Sequence, residues 1–441
     1  MRPSRLIRVV VAAAALPQVV TALAPAVAAA QIVAIRGGTV YPVSSPPIEG
    51  ATVLIRDGAI AAVGADVSVP AGARVVDATG HHVIPGLIDA MSYYGIAGSD
   101  LNETASPSTP HLRAIEAYYP FGAFGDGEPP DSPRSEDLLM GGVTTHYIAP
   151  ADATVIGGQG AVVKAAASTF DGLVLREPAA IDMTIGQRPA ATFREDNRSP
   201  GTRMAVIAHL REQLLRAQEY QVRIEAWNAR PESERSSSPP PARDLGLEAL
   251  GLMLRGEIPA RIQANRTTEI REALELAEEF GFHLILDSGI SADAVAAELA
   301  SAGVPVVLGP ISHPFVSGEE IPDRDEYPSP DERRATRLQE AGVAYAIASF
   351  SRSFGSLGPA GSGKWLLLDA AMAAGYGLSE AQVLRAITLS AAEILGVEDR
   401  VGSVEPGKDA DVVILDGPPL SVTSWVERVF VDGVEVFVRE P

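Results

Sequence analysis

Apolar and polar residues alternate from Gln31 to about Val83, the two-residue period of strands with one face in a core. Within that stretch Asp57-Gly58 separates ATVLIR from AIAAVG, which predicts a two-residue hairpin. The C-terminal end repeats this pattern, with ADVVIL running into Asp416-Gly417, and RVFV into Asp432-Gly433 before VEVFV. Sheet-forming segments at opposite ends of a chain predict one small β-domain built from both, with the middle of the chain inserted between them.

That middle alternates strand and helix. RIQA leads into a helix with Ile270, Ala273, Leu274, Ala277 and Phe280 on one face, stopped by Gly281. FHLILDS precedes a helix that begins near Ser291 and ends at Gly303; VPVVLG, a helix across Asp331 to Ala341, and VAYAIAS follow. Repeated β-α units predict a parallel sheet, and their number favours a closed (β/α)8 barrel over the alternative, an open doubly wound sheet. Residues 231–243, PESERSSSPPPAR, read as an exposed loop, and the Pro/Gly-rich stretch from Ser99 to Pro133 as a long connection on the face where barrels do their chemistry.

Composition narrows the class. The chain has 441 residues, 46% of them apolar, enough for a large core. Its formal charge is −21, and removing Arg2, Arg5 and Arg8 with a leader makes it −24. Such a surface repels nucleic acid and anionic lipid. Residues 1–30 carry a basic start, an apolar run from Val9 to Val27 broken by Pro17 and Pro25, and small residues Ala26, Ala28 and Ala30 before Gln31. This predicts a bacterial secretory signal peptide cleaved after Ala30, hence a periplasmic or secreted protein; an uncleaved anchor is the alternative. With no cysteine, thiolate metal sites and Cys nucleophiles are excluded.

Four segments, VIPGLIDA at 83–90, GGVTTHYIAP at 141–150, IGGQGAVVK at 156–164 and ITLSAAEILGVEDRVGSVEPGKDADVVILDG at 387–417, together resemble the amidohydrolase superfamily, in particular its exported imidazolonepropionase-like and dipeptidase-like branch. The resemblance implies a (β/α)8 TIM-like barrel at 85–395 carrying a composite β-sandwich from 31–84 and 396–441. It also implies C–N bond hydrolysis at a metal site in the barrel mouth, where imidazoles and carboxylates about 2 Å from a divalent ion acidify a bound water.

Every position that the resemblance assigns to a ligand is substituted. The two histidines after GLIDA are Met91 and Tyr93. Asp182 stands for a bridging lysine, Gln263 and Ser288 for two further histidines, and Phe350 for the aspartate that serves as ligand and base. A thioether and a phenol of pKa about 10 do not replace imidazoles for hard divalent ions. No metal or other cofactor is therefore expected; zinc or another divalent ion belongs to the alternative reading of a rebuilt site.

Asp89, His111, His146, Asp287 and His313 remain as ligand-binding candidates. Asp89 shares strand parity with Met91 and Tyr93, although a strand end ordered by hydrogen bonds explains it as well. GPAGSGKW at 358–365 has Trp365 where a phosphate loop needs a hydroxyl, GGQG at 157–160 reads as a tight loop, and no nucleophile-elbow motif is present. The expected function is a non-catalytic protein that binds a peptide- or amide-like ligand or pairs with an active relative, as a homo- or hetero-oligomer. The alternative is a C–N hydrolase with a rebuilt or metal-free site.

Overall fold

The computed structural model describes residues 32–120, 134–237, 239–311, 331–352 and 363–440. The leader, His313 and most of the 358–365 segment lie outside them.

Five strands open the chain: β1 (Ile32–Val40), β2 (Ile48–Arg56), β3 (Ala59–Gly64), β4 (Arg74–Asp77) and β5 (His82–Pro85). Asp57 and Gly58 both take positive φ, 51° and 84°, so the β2–β3 turn is the tight kind the sequence predicts. Nine strands follow: β6 (Leu87–Tyr93), β7 (Val143–Ile148), β8 (Ile156–Lys164), β9 (Val174–Thr184), β10 (Ala260–Ala264), β11 (Leu284–Ser288), β12 (Val306–Leu308), β13 (Tyr345–Ile347) and β14 (Ser351–Arg352). The chain closes with β15 (Val412–Leu415), β16 (Val426–Val431) and β17 (Val434–Val438).

The outer strands form one composite sheet ordered β17-β16-β15-β5-β1-β2-β3, with β4 paired to β1. The two chain ends meet where β15 runs antiparallel to β5, placing Val413 opposite Ile84. Asp432 and Gly433 repeat the positive-φ turn between β16 and β17. Asp416-Gly417 does not: it opens the connection 416–425, pinned by the Trp425 amide donating to Asp416 at 2.7 Å.

Strands β6 to β13 form a nearly closed eight-stranded barrel, and β14 pairs with β6 across the gap. The seam is also tied by Asp89, whose carboxylate accepts from the Ser349 amide at 2.9 Å and from the Ser349 hydroxyl. One expectation fails. The barrel is not wholly parallel, because β8 runs antiparallel to both β7 and β9. GGQG is accordingly part of strand β8 rather than a tight loop.

Helices pack outside the barrel. Ile270, Ala273 and Leu276 of the helix Thr267–Phe280 join Ile262 and Leu286 of the strands in one buried cluster, and the helix stops at Gly281 with φ 74°. At the far end of β8, fully buried Lys164 reaches Asp409 at 2.8 Å, Asp411 at 3.1 Å and Asp432 at 2.5 Å, bolting the barrel to the composite sheet.

Candidate functional site

Strand parity sends Arg261 and Gln263 of β10 inward, while Ile262 joins the helix-facing core. Asp182 of β9 lies opposite Arg261 in register, and Asp287 of β11 lies opposite Gln263. Three neighbouring strands thus deliver two carboxyls, a guanidinium and an amide to one place.

The guanidinium dominates. Arg261 is fully buried and grips Asp287 with two bonds, Nε to Oδ2 at 2.9 Å and Nη2 to Oδ1 at 2.6 Å. Nη2 also donates to the Ala90 carbonyl at 2.9 Å, and the guanidinium carbon lies 3.9 Å from the centre of the Tyr147 ring. The Tyr147 hydroxyl donates in turn to Asp182 Oδ2 at 2.7 Å. This packing needs Gly160 on β8: a Cβ there would lie 2.0 Å from the Tyr147 oxygen and 2.8 Å from Asp182 Oδ2.

Burial pushes the Asp182 carboxyl well above the usual carboxylate range, with Asp287 adding to the push and Arg261 opposing it. Burial pushes Asp287 up as well, while the two-pronged Arg261 contact pulls it back towards ionisation. The neighbouring carboxylates hold the guanidinium itself charged against its own desolvation. What space remains is a cavity of about 10 Å³, room for roughly one water, lined by Met91, Asp182, Gln263 and Asp287 among others. Above it Gln263 donates to Asp152 at 3.3 Å, and Arg188 approaches Asp152 at 3.7 Å.

Three of the six substituted positions therefore meet: Met91, Asp182 and Gln263 line the cavity. On β11 the cavity residue is Asp287, one position before Ser288, which takes a left-handed φ of 69° at the strand end. Tyr93 is buried but does not line the cavity, and Phe350 donates its amide to the Met91 carbonyl at 3.0 Å instead. Asp89 is absent from the lining too, since a register irregularity between Asp89 and Ser92 breaks its parity with Met91. His146 alternates with inward-facing Tyr147 and packs between the Tyr94 and Tyr118 rings, at 6.2 Å and 5.7 Å. His111 is exposed and lines a separate groove of about 970 Å³ with Arg113, Gln159, Tyr220, Trp227 and Pro240. Arg261 and Tyr147 were missed by reading the sequence, although an arginine two positions before Gln263 in an apolar strand is the signal that finds the first.

A divalent ion does not fit this donor set. Among the described residues no three His, Cys, Asp or Glu side chains are grouped to hold one. Of the two carboxyls present, Asp287 is held by a guanidinium through both oxygens, and Asp182 accepts from a phenol through Oδ2.

A family model described as the amidohydrolase family matches residues 254–436. A solved structure of an amidohydrolase from Thermotoga maritima MSB8 is 33% identical, with a TM-score of 0.80 over 92% of this chain and 100% of that one. An imidazolonepropionase of Mesorhizobium japonicum is 26% identical over 392 residues, 84% of this chain and 87% of its own length. The amidohydrolase tasK of Hapsidospora irregularis is 24% identical over 392 residues, but the chain spans only 38% of that relative.

Proposed function

We propose, from the premise that this chain belongs to the amidohydrolase family, that it is an exported, non-catalytic member which binds a peptide- or amide-like ligand or serves as a subunit beside an active relative. One observation carries the reading. The barrel centre, where the family's chemistry needs a cation and an open coordination position, holds the Arg261–Asp287 pair and about 10 Å³ of space. As bounded by the described residues, that space holds roughly one water rather than an amide substrate.

Room for a ligand exists elsewhere. The groove beside Tyr220 and Trp227, about 970 Å³, is of the size that takes a drug-sized ligand or a short peptide. Export is supported by the basic, apolar and small-residue order of residues 1–30. Among the described residues no helix is long and apolar enough to cross a membrane.

The test combines turnover and binding. Purified protein is offered a panel of N-acyl amino acids and dipeptides, with zinc and with chelator, while tryptophan fluorescence reports binding. The expected result is no metal-dependent hydrolysis and a saturable fluorescence change that Trp227→Ala abolishes. Chelator-sensitive turnover overturns the reading in favour of C–N bond hydrolysis, the activity class that the family's name denotes.

A further inference from the structure

The groove of about 970 Å³ beside Tyr220 and Trp227 has a narrower chemistry than its size suggests. Tyr220, Ile224 and Trp227 stand on one face of the helix Arg203–Asn228 and line the groove together. Seven residues separate the two aromatic side chains, about 10 Å along a helix axis. A polyproline helix repeats every three residues, about 9 Å. Two aromatic ridges at that spacing receive successive turns of a proline-rich segment.

The backbone around the groove favours the same ligand. Two of its walls are helices, Arg203–Asn228 and Leu245–Leu254, whose carbonyls are spent in hydrogen bonds of their own. On the facing loop the Leu112 carbonyl accepts from the Gln159 amide at 2.8 Å. An extended peptide would bury N–H groups here with no strand edge to receive them, whereas proline brings none.

The chain itself supplies one example of such a contact. Residues 239–243 read Pro-Pro-Pro-Ala-Arg, and Pro240, Pro241 and Arg243 form part of the groove lining. Arg243 grips Glu248 with two bonds, Nε to Oε1 at 2.9 Å and Nη2 to Oε2 at 2.5 Å, and the Tyr220 hydroxyl donates to the same Oε1 at 3.0 Å. A proline run thus sits beside the aromatic wall with its arginine on a glutamate.

The remaining charges leave room for a second cation. Each arginine in the lining is matched by a glutamate: Arg113 by Glu177 at 2.6 Å, Arg243 by Glu248, and Arg255 by Glu257 at 2.5 Å. Arg223 and Arg235 stack on Tyr220 and Trp227 at 5.7 Å and 5.6 Å without lining the groove. Glu225 does line it, is exposed, and has no ion-pair partner among the described residues. An incoming ligand therefore meets a spare negative charge, on a chain whose formal charge is −21.

We infer that this groove binds a proline-rich segment carrying arginine or lysine, its prolines seated across Tyr220 and Trp227 and its cation on Glu225. The inference rests on the reading that places the ligand in this groove, and adds which ligand.

The experiment titrates the full chain with fluorescein-labelled peptides of equal length and follows anisotropy. One peptide alternates prolines with arginines, a second has alanine for every proline and so favours a helix, and a third has glutamate for every arginine. Saturable binding of the proline–arginine peptide is expected, with the other two weaker by about tenfold or more. Trp227→Ala should weaken it about tenfold or more. Glu225→Lys, at an exposed position, should weaken it about threefold and reduce its salt dependence.

Equal or tighter binding of the alanine or glutamate peptide overturns the inference, as does binding that Glu225→Lys leaves unchanged, or no binding of the proline–arginine peptide at about 1 mM. Uptake of dipeptides that depends on Trp227, without uptake of that peptide, overturns it while the groove remains the ligand site. Chelator-sensitive amide hydrolysis by a protein that still binds the proline–arginine peptide ends the non-catalytic reading and leaves the inference standing, so the two fail separately.

Discussion

Replacing His146 with phenylalanine should flatten the acid limb of the stability curve. The imidazole is fully buried on β7 between Tyr94 and Tyr118, and neither nitrogen has a hydrogen-bond partner among the described residues. Burial holds it down at about 3, against an ordinary 6.5. The fold therefore keeps the neutral ring, whereas the unfolded chain takes up a proton below pH 6.5. Stability is full above that value and is lost as pH falls towards 3. At pH 4 the loss is about 1.4 kcal/mol for each of roughly 2.5 pH units, or about 3 kcal/mol. Asp89 works the other way: burial pushes its carboxyl up to about 6, so its contribution is present below 3.8 and lost as pH rises through 6. The wild-type profile mixes both, and only the difference between wild type and His146→Phe isolates the imidazole. Denaturant unfolding followed by circular dichroism between pH 7.5 and 4 should show the variant gaining about 3 kcal/mol on wild type across that range. Parallel curves refute the reasoning, for they mean that the imidazole is hydrated or bonded in the folded protein.

Two further outcomes follow from other buried charges. Lys164→Met leaves Asp409, Asp411 and Asp432 facing one another, and because Asp409 and Asp432 reach solvent the cost should lie near the lower end for a broken buried pair, about 3 kcal/mol by denaturant unfolding. Hydrogen exchange should speed up most in β8 and β15, since the lysine joins those layers. Placing imidazoles where the sequence resemblance leads one to expect them, with the double substitution Met91→His and Tyr93→His, should leave zinc retention after desalting below about a tenth of an equivalent, because the nearby Asp287 carboxyl is already held by Arg261. Stoichiometric zinc in that variant shows instead that the two imidazoles alone set affinity.

Much of the fold can be read along the chain because it rests on local signals. The period-two stretch and Asp57-Gly58 give β2 and β3, since left-handed turn residues between alternating strands have few other uses. The face of Ile270, Ala273 and Phe280 with Gly281 behind it gives a helix and its stop. Asp416-Gly417 misleads because the same dipeptide also starts longer connections, and here the Asp416 side chain caps the amide of Trp425. The direction of β8 escapes entirely, because alternation marks a strand without saying which way its neighbours run.

Met91 and Gln263, at positions where the resemblance leads one to expect histidines, are likewise plain in the sequence. How the barrel centre is filled was decided only in three dimensions. Arg261, Asp287, Tyr147 and Asp182 stand on four strands and are separated by up to 140 positions, and nothing local couples them. Barrel closure puts them within bonding distance, and desolvation then makes a lone charge so costly that each must find its partner. Strand alternation with inward-facing Tyr147 turns His146 away from the axis, and the register irregularity between Asp89 and Ser92 breaks the parity of Asp89 with Met91. A sequence fixes which groups are available, while the pairing of buried charges depends on which of them the closed barrel brings together out of water.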